Sequence, residues 1–353
     1  MVTGPAPFPN GVGWPEAGVR FPGAIFLLLL LLLASMVVAG GLGQVHYTPA
    51  QVVAAVRHGP NGSEAADITV WSLRLPRILL ASLVGASLAL AGVAFQSLLR
   101  NDLADPYIIG ASSGASVGAE AVLLRHGETS LRGLALPLAA FVSAVAAMTV
   151  VYALARRGGR VAVTTLLLAG VIIGSFLGSV STLMQLLSTF EDSLRILGRL
   201  MGSLQDAQYS QCGILWGFLL VGMLVLFSQA RAMNLFALGE ESAQQMGVET
   251  ERFKTILIVA GSLLTAATVG FAGIIGFVGL MVPHIARRLA RTPDHRRVLP
   301  LATLGGAILM VWADTLARTV LPDGRELPVG IVTAFLGAPF FCWLLRRQAR
   351  RAA

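Results

Sequence analysis

The sequence predicts an all-α, polytopic membrane protein with about ten transmembrane helices. Three observations carry that reading. Of 353 residues, 55% are hydrophobic and only 12% are charged, against about 25% charged in a soluble domain. Apolar runs of about 20 residues, enough to cross a ~30 Å hydrocarbon core, recur along the whole length. The alternating pattern of a membrane β-barrel is absent.

In chain order, residues 1–20 are rich in Pro and Gly and are expected to be a disordered cytoplasmic segment. Residues 21–43 form the first expected span. Their apolar core is too long for a signal-peptide h-region, and Arg20 is the only basic residue before it. Residues 44–72, with Pro49, Gly59, Pro60 and Gly62, form an outer loop. Further spans are expected at 75–99, 107–125, 133–155, 161–187, 211–230, 254–272, 274–290, 298–321 and 327–346. The weakest boundary separates the seventh from the eighth, where Gly270, Gly273, Gly276 and Gly279 punctuate one apolar run. Residues 188–206 suggest a short interfacial helix. The whole of 21–346 reads as one transmembrane domain, followed by a basic cytoplasmic tail, 347–353.

With both termini in the cytoplasm, seventeen of the 26 Arg and Lys residues fall inside. That satisfies the positive-inside bias with an even number of spans. The arginines sit between apolar runs as topology signals, so the net charge of +8 does not point to nucleic acid. The 39 glycines suit close helix approach in lipid. Cys212 and Cys342 lie in or beside apolar segments and suggest neither a disulfide framework nor a metal site.

The most informative segment is Gly239, Glu240, Glu241, Ser242, Ala243, Gln244, Gln245, Met246 and Gly247. It is short, charged and closed by glycine, between two long apolar runs. It reads as a small surface helix that another protein could grip. No phosphate-binding loop exists, and the only lysine, Lys254, fits no Walker pattern. Gly110 to Gly114 matches G-x-S-x-G around Ser112, with His284 in another span. That pattern needs a strand-to-helix turn, whereas this stretch opens a membrane helix. Asn101 to Pro106 reads as a tight turn with Pro106 early in the next helix. Glu120 and Asp314 are intramembrane carboxylates, which mark functional sites by default. Asp314 and Arg318 are spaced i, i+4, so an ion pair explains them better. Arg74 and Arg77 flank Pro76 on the outer side, as interfacial snorkels or as a dock for an acidic partner. Two other classes stay open. An ion-coupled secondary transporter needs midplane charges, which are few here. An intramembrane serine hydrolase needs Ser112 in an elbow.

Taken together, these residues resemble the FecCD family, the permease subunits of ATP-binding-cassette importers for iron chelates (siderophores), haem and vitamin B12 (cobalamin). The motifs are Arg74 to Arg77, Asn101 to Pro106, Gly110 to Ala115, Leu166 to Gly170, Met201 to Leu204, Leu238 to Gly247, Gly276 to His284, Glu326 to Gly330 and Leu336 to Pro339. The resemblance implies a type II importer permease fold and a homodimer around a central pathway in the bacterial inner membrane. It implies two cytoplasmic ATPase subunits, which use ATP and Mg, and a periplasmic or lipid-anchored binding protein. It implies no catalytic residue, cofactor or metal in this chain. Leu238 to Gly247 would be the ATPase-coupling segment. Asn101 and Leu103 would contribute one lip of the cytoplasmic gate, and Val163 and Thr164 the other. Arg74, Arg77 and Arg318 match the arginines expected to grip the binding protein. Arg195 and Arg199, near the outer mouth, would meet an anionic cargo or pair with Glu191 and Asp192. The family commonly carries Asn-Pro-Leu-Ala at the gate turn, and here Asp102 replaces the proline.

Overall fold

A computed structural model describes residues 21–126, 135–189, 198, 200–321 and 325–352. Among the described residues, eight helices are long and apolar enough to cross a membrane. They include α1 (Phe21–Gly41), a continuous helical stretch from Ala65 ending in α4 (Leu75–Leu99), α6 (Ala135–Ala155) and α7 (Val163–Leu186). They continue with α8 (Tyr209–Ser228), α11 (Thr250–Ala272), α13 (His295–Thr319) and α14 (Val329–Ala352). The remaining two of the ten expected spans are shorter helices, α5 (Ala111–His126) and α12 (Val278–Ala290). A two-stranded hairpin, β1 (Arg156–Arg157) with β2 (Arg160–Val161), joins α6 to α7.

Two boundaries differ from the sequence reading. The outer loop 44–72 contains α2 (Pro49–His58) and α3 (Ala65–Thr69). Thr48 and Gln51 form a capping box there with Pro49 in the first turn, and Val52 and Ala55 bury one face. Pro106 does not open α5. It opens a 3-10 turn, Pro106–Ile109, whose first N–H is capped by Asp105 (Tyr107 N to Oδ1, 2.8 Å). Burial pushes the Asp105 carboxyl above its ordinary pKa.

The bundle is organised around α4. In the most apolar window of its stretch 89% of residues are buried, against 17% for α1 and for α7. A helix apolar all round belongs inside, and α4 can sit there because glycines admit its neighbours. A Cβ on Gly85 would strike the carbonyl of Gly306 on α13, and one on Gly92 the carbonyl of Gly279 on α12. The uncertain boundary at 270–279 resolves as a break. Gly273 takes φ +73 and Phe277 φ +69, so α11 stops at Ala272 and α12 starts at Val278. Backbone bonds tie the Met201–Leu204 motif to two places: Ser203 N donates to Ala272 O at the edge of that break (2.9 Å), and Val329 N, at the start of α14, donates to Gly202 O (2.9 Å). The Tyr107 hydroxyl donates to the Ile275 carbonyl at 3.3 Å.

Candidate functional site

At one end of the bundle three features converge. They are the turn after α4, the 156–161 hairpin, and two short helices, α9 (Ala230–Phe236) and α10 (Glu240–Gln245). Glycine sets the limits of α10. Gly239 (φ +125) precedes it and Gly247 (φ +85) follows it, both in backbone conformations that a side chain resists. Ala243 is fully buried and anchors one face. In the same buried core, Phe236 and Phe253 pack with ring centroids 5.0 Å apart. Glu241, Ser242, Gln244 and Gln245 are exposed, as are the apolar Leu238 (68%) and Met246 (45%). The helix is thus seated by one alanine and leaves an open face that mixes apolar and acidic groups.

The turn after α4, expected to form one lip of a gate, is held from several sides. Arg100 ends α4 in the left-handed region (φ +47). Asn101 Oδ1 accepts from Leu103 N at 2.9 Å, and Ala104 N donates to Asn101 O at 3.1 Å. Asp102, where the resemblance implies a proline, lies 3.3 Å from Arg287 of α12. Arg287 also donates to Gln96 Oε1 of α4 (2.7 Å), and Gln96 Nε2 donates to the Gly279 carbonyl (3.3 Å). A charge tie to a neighbouring helix thus stands where a ring would have restricted the backbone. Because Asp102 is half exposed, Asp102→Asn is expected to cost no more than about 1 kcal/mol. Thermal unfolding of the purified variant in detergent checks this.

Of the other proposed lip, Val163 is half-buried and Thr164 exposed. Val163 lines a cavity of about 350 Å³ together with Arg100, Val161, Glu240 and Lys254. The structure therefore brings the ends of α4 and α10 and the start of α7 to one space. Asn101, Leu103 and Thr164 are not part of its wall.

At the opposite end the structure gives the three candidate docking arginines partners within the chain. Arg74, Arg77 and Arg318 are not open arginines waiting for a partner, nor snorkels into headgroups. Their exposures are 7%, 8% and 8%. Arg77 Nε lies 2.9 Å from Asp314 Oδ1, and its Nη1 lies 2.7 Å from Glu326 Oε2. Arg318 Nε lies 3.3 Å from Asp314 Oδ2, which is the i, i+4 pair legible in the sequence. Arg318 also donates to the carbonyls of Ala39 (3.0 Å) and Leu42 (3.2 Å). Arg74 donates to Gly40 O at 2.6 Å and its guanidinium stands 4.9 Å from the Tyr47 ring centroid. Arginine, with five donors in a fixed fork, suits such multiple pairing. A binding protein that engaged Arg77 would have to compete with Asp314 and Glu326.

Glu120 is also buried and accepts from Ser181 Oγ and from Gln185 Nε2 (2.9 Å), which ties α5 to α7. Ser112 lies in the first turn of α5, and its carbonyl accepts from Ser116 Oγ (2.9 Å). The 156–161 hairpin holds the only strands among the described residues, so no strand leads into Ser112 and the elbow is not formed. Arg195 and Arg199, with Glu191 and Asp192, lie outside the described residues.

Sequence reasoning overlooked Arg287, Lys254 and Glu326 as partners. Only the i, i+3 spacing of Glu251 and Lys254 gave a local signal; the other partners lie far away in the chain or across a loop.

The FecCD transport family model matches residues 27–347. Among similar curated proteins is the cobalamin import system permease protein BtuC of Halobacterium salinarum. It is 43% identical over 289 residues, covering 82% of this chain and 76% of that protein. An uncharacterised ABC transporter permease protein, YvrB of Bacillus subtilis, is 40% identical over 93% of this chain and 94% of its own. A solved inward-facing conformation of a putative metal-chelate type ABC transporter superposes with a TM-score of 0.79 at 30% identity, covering 93% of this chain and 99% of that one. With the family model matching residues 27–347 and relatives at 40% identity or more over most of the chain, this chain belongs to the FecCD transport family and is a permease subunit of an ABC importer.

Proposed function

We propose that the chain carries a cobalt corrinoid, or a related metal chelate, inward across a bacterial inner membrane with both termini in the cytoplasm. It works as one of two identical copies around a shared pathway. Two cytoplasmic ATPase subunits drive it, and a binding protein outside delivers cargo. The observation that carries the ATPase arm of this reading is α10, an exposed helix set between two positive-φ glycines at the same end as the gate turn. The cargo class is supported by the 43% identity to a cobalamin permease.

Nucleotide binding would close the ATPase pair, and α10 would pass that movement into the bundle. Alternating access asks for two stable arrangements of the gate and differential interaction with each. The chain contributes no bond-making chemistry to this cycle. Its residues supply a lever, a gate and a pathway wall.

The test is uptake by vesicles holding the chain with its ATPase and binding protein. ATP-dependent accumulation of cyanocobalamin is the expected result. Uptake of a ferric siderophore but not cyanocobalamin would replace the corrinoid assignment. Uptake without nucleotide would overturn the reading.

A further inference from the structure

Lys254, the chain's only lysine, stands at the start of α11 and is 2% exposed. Its ammonium has three acceptors on three separate pieces of chain. Glu240 Oε1 of α10 lies at 2.8 Å, and Glu251 Oε1 of α11 itself at 2.7 Å. The carbonyl of Val161, last residue of the hairpin, lies at 2.8 Å. Glu251 closes the ring, since its Oε2 accepts from Val161 N at 2.7 Å. Val161 is two residues from Val163, where α7 begins, and both line the cavity that Lys254 and Glu240 also wall.

An ammonium has three donors, and here each has a partner. A buried charge stripped of a partner is strongly unfavourable. Any movement that pulled α10 away from the hairpin would leave the ammonium or a carboxylate without its mate. The three pieces therefore move together more easily than they separate.

We infer that Lys254 is a positioning residue that locks α10 to the start of α7, so that a displacement of α10 by the ATPase reaches the gate lip at Val163 and Thr164. This inference rests on the coupling role proposed for Leu238 to Gly247, and deepens it by naming the link. Glu240 supplies the arm on α10, and the hairpin supplies the arm on the gate.

The test uses the full chain assembled with its ATPase subunits, carrying a spin label at Thr164 in one preparation and at Gln244 in another. Both sites are exposed. In the wild type, ATP with vanadate is expected to change the spectra at both positions. In Lys254→Met the change at Gln244 persists, ATP hydrolysis persists, and the change at Thr164 is lost. Glu240→Gln, at a half-buried residue, cuts only one arm and is expected to weaken the Thr164 response in the same direction. It serves as the reading if Lys254→Met does not fold. A full Thr164 response in Lys254→Met, or in Glu240→Gln where that variant is the one read, overturns the inference while leaving the coupling helix in place. If neither label in the wild type responds to nucleotide, the coupling role itself falls, and the inference with it.

Discussion

Replacing Leu238 and Met246 together by Asp is expected to abolish nucleotide-driven transport while leaving the bundle folded. Both side chains are exposed, 68% and 45%, so neither contributes much to this chain's own packing. An exposed apolar pair flanking a short helix is what a partner surface buries, and central anchors at such interfaces are worth roughly 2 kcal/mol or more apiece. Losing two of them, and adding carboxylates that must be desolvated, lowers affinity for the proposed ATPase by at least about a hundredfold. Affinity titration of purified ATPase onto the reconstituted variant reads this directly, beside a thermal unfolding scan. Undiminished ATPase affinity would remove this surface from the interface.

Asp314→Ala is expected to give the largest loss of stability of any single change at the other end. Asp314 is 1% exposed and lies between two arginines that are each 8% exposed. Among the described residues, removing it leaves Arg77 with Glu326, and Arg318 with backbone carbonyls and Thr315. Breaking a buried ion pair by deleting one partner costs about 3–5 kcal/mol. Asp314→Asn keeps the volume and some hydrogen bonding, and falls between the two. Thermal or denaturant unfolding in detergent, on matched preparations, decides it. A loss below about 1 kcal/mol, as for a surface pair, would mean that water already screens the cluster. The same geometry changes what Arg77→Glu would report: it puts a third carboxylate beside Asp314 and Glu326, so any loss of docking would be mixed with loss of fold.

Much of the fold was legible because lipid imposes one dominant rule. A span must hide its backbone, so helices and their apolar lengths can be read along the chain. The Asp314–Arg318 pair was legible for a similar reason, since i, i+4 neighbours meet on any helix. The short helix at 240–245 announced itself through its two glycines and its charge. The turn after α4 was legible from Asn101 to Pro106, but the restraint on Asp102 was not, because Arg287 lies several helices further along the chain.

What the sequence determined by itself, then, is the list of parts: spans, turns, caps and the local pairs within one helix. Which spans are central and which face lipid came only from the folded chain. Hydrophobicity cannot rank α4 above α1 when both are apolar, whereas the glycines that let α13 and α12 touch α4 have meaning only once those helices are beside it. The fate of the charged residues was likewise a tertiary decision. An arginine at a span's edge is equally at home in headgroups, on a partner or inside a cluster. Arg74, Arg77 and Arg318 took the third course because carboxylates and carbonyls from remote segments reach them there, and Lys254 is buried for the same reason.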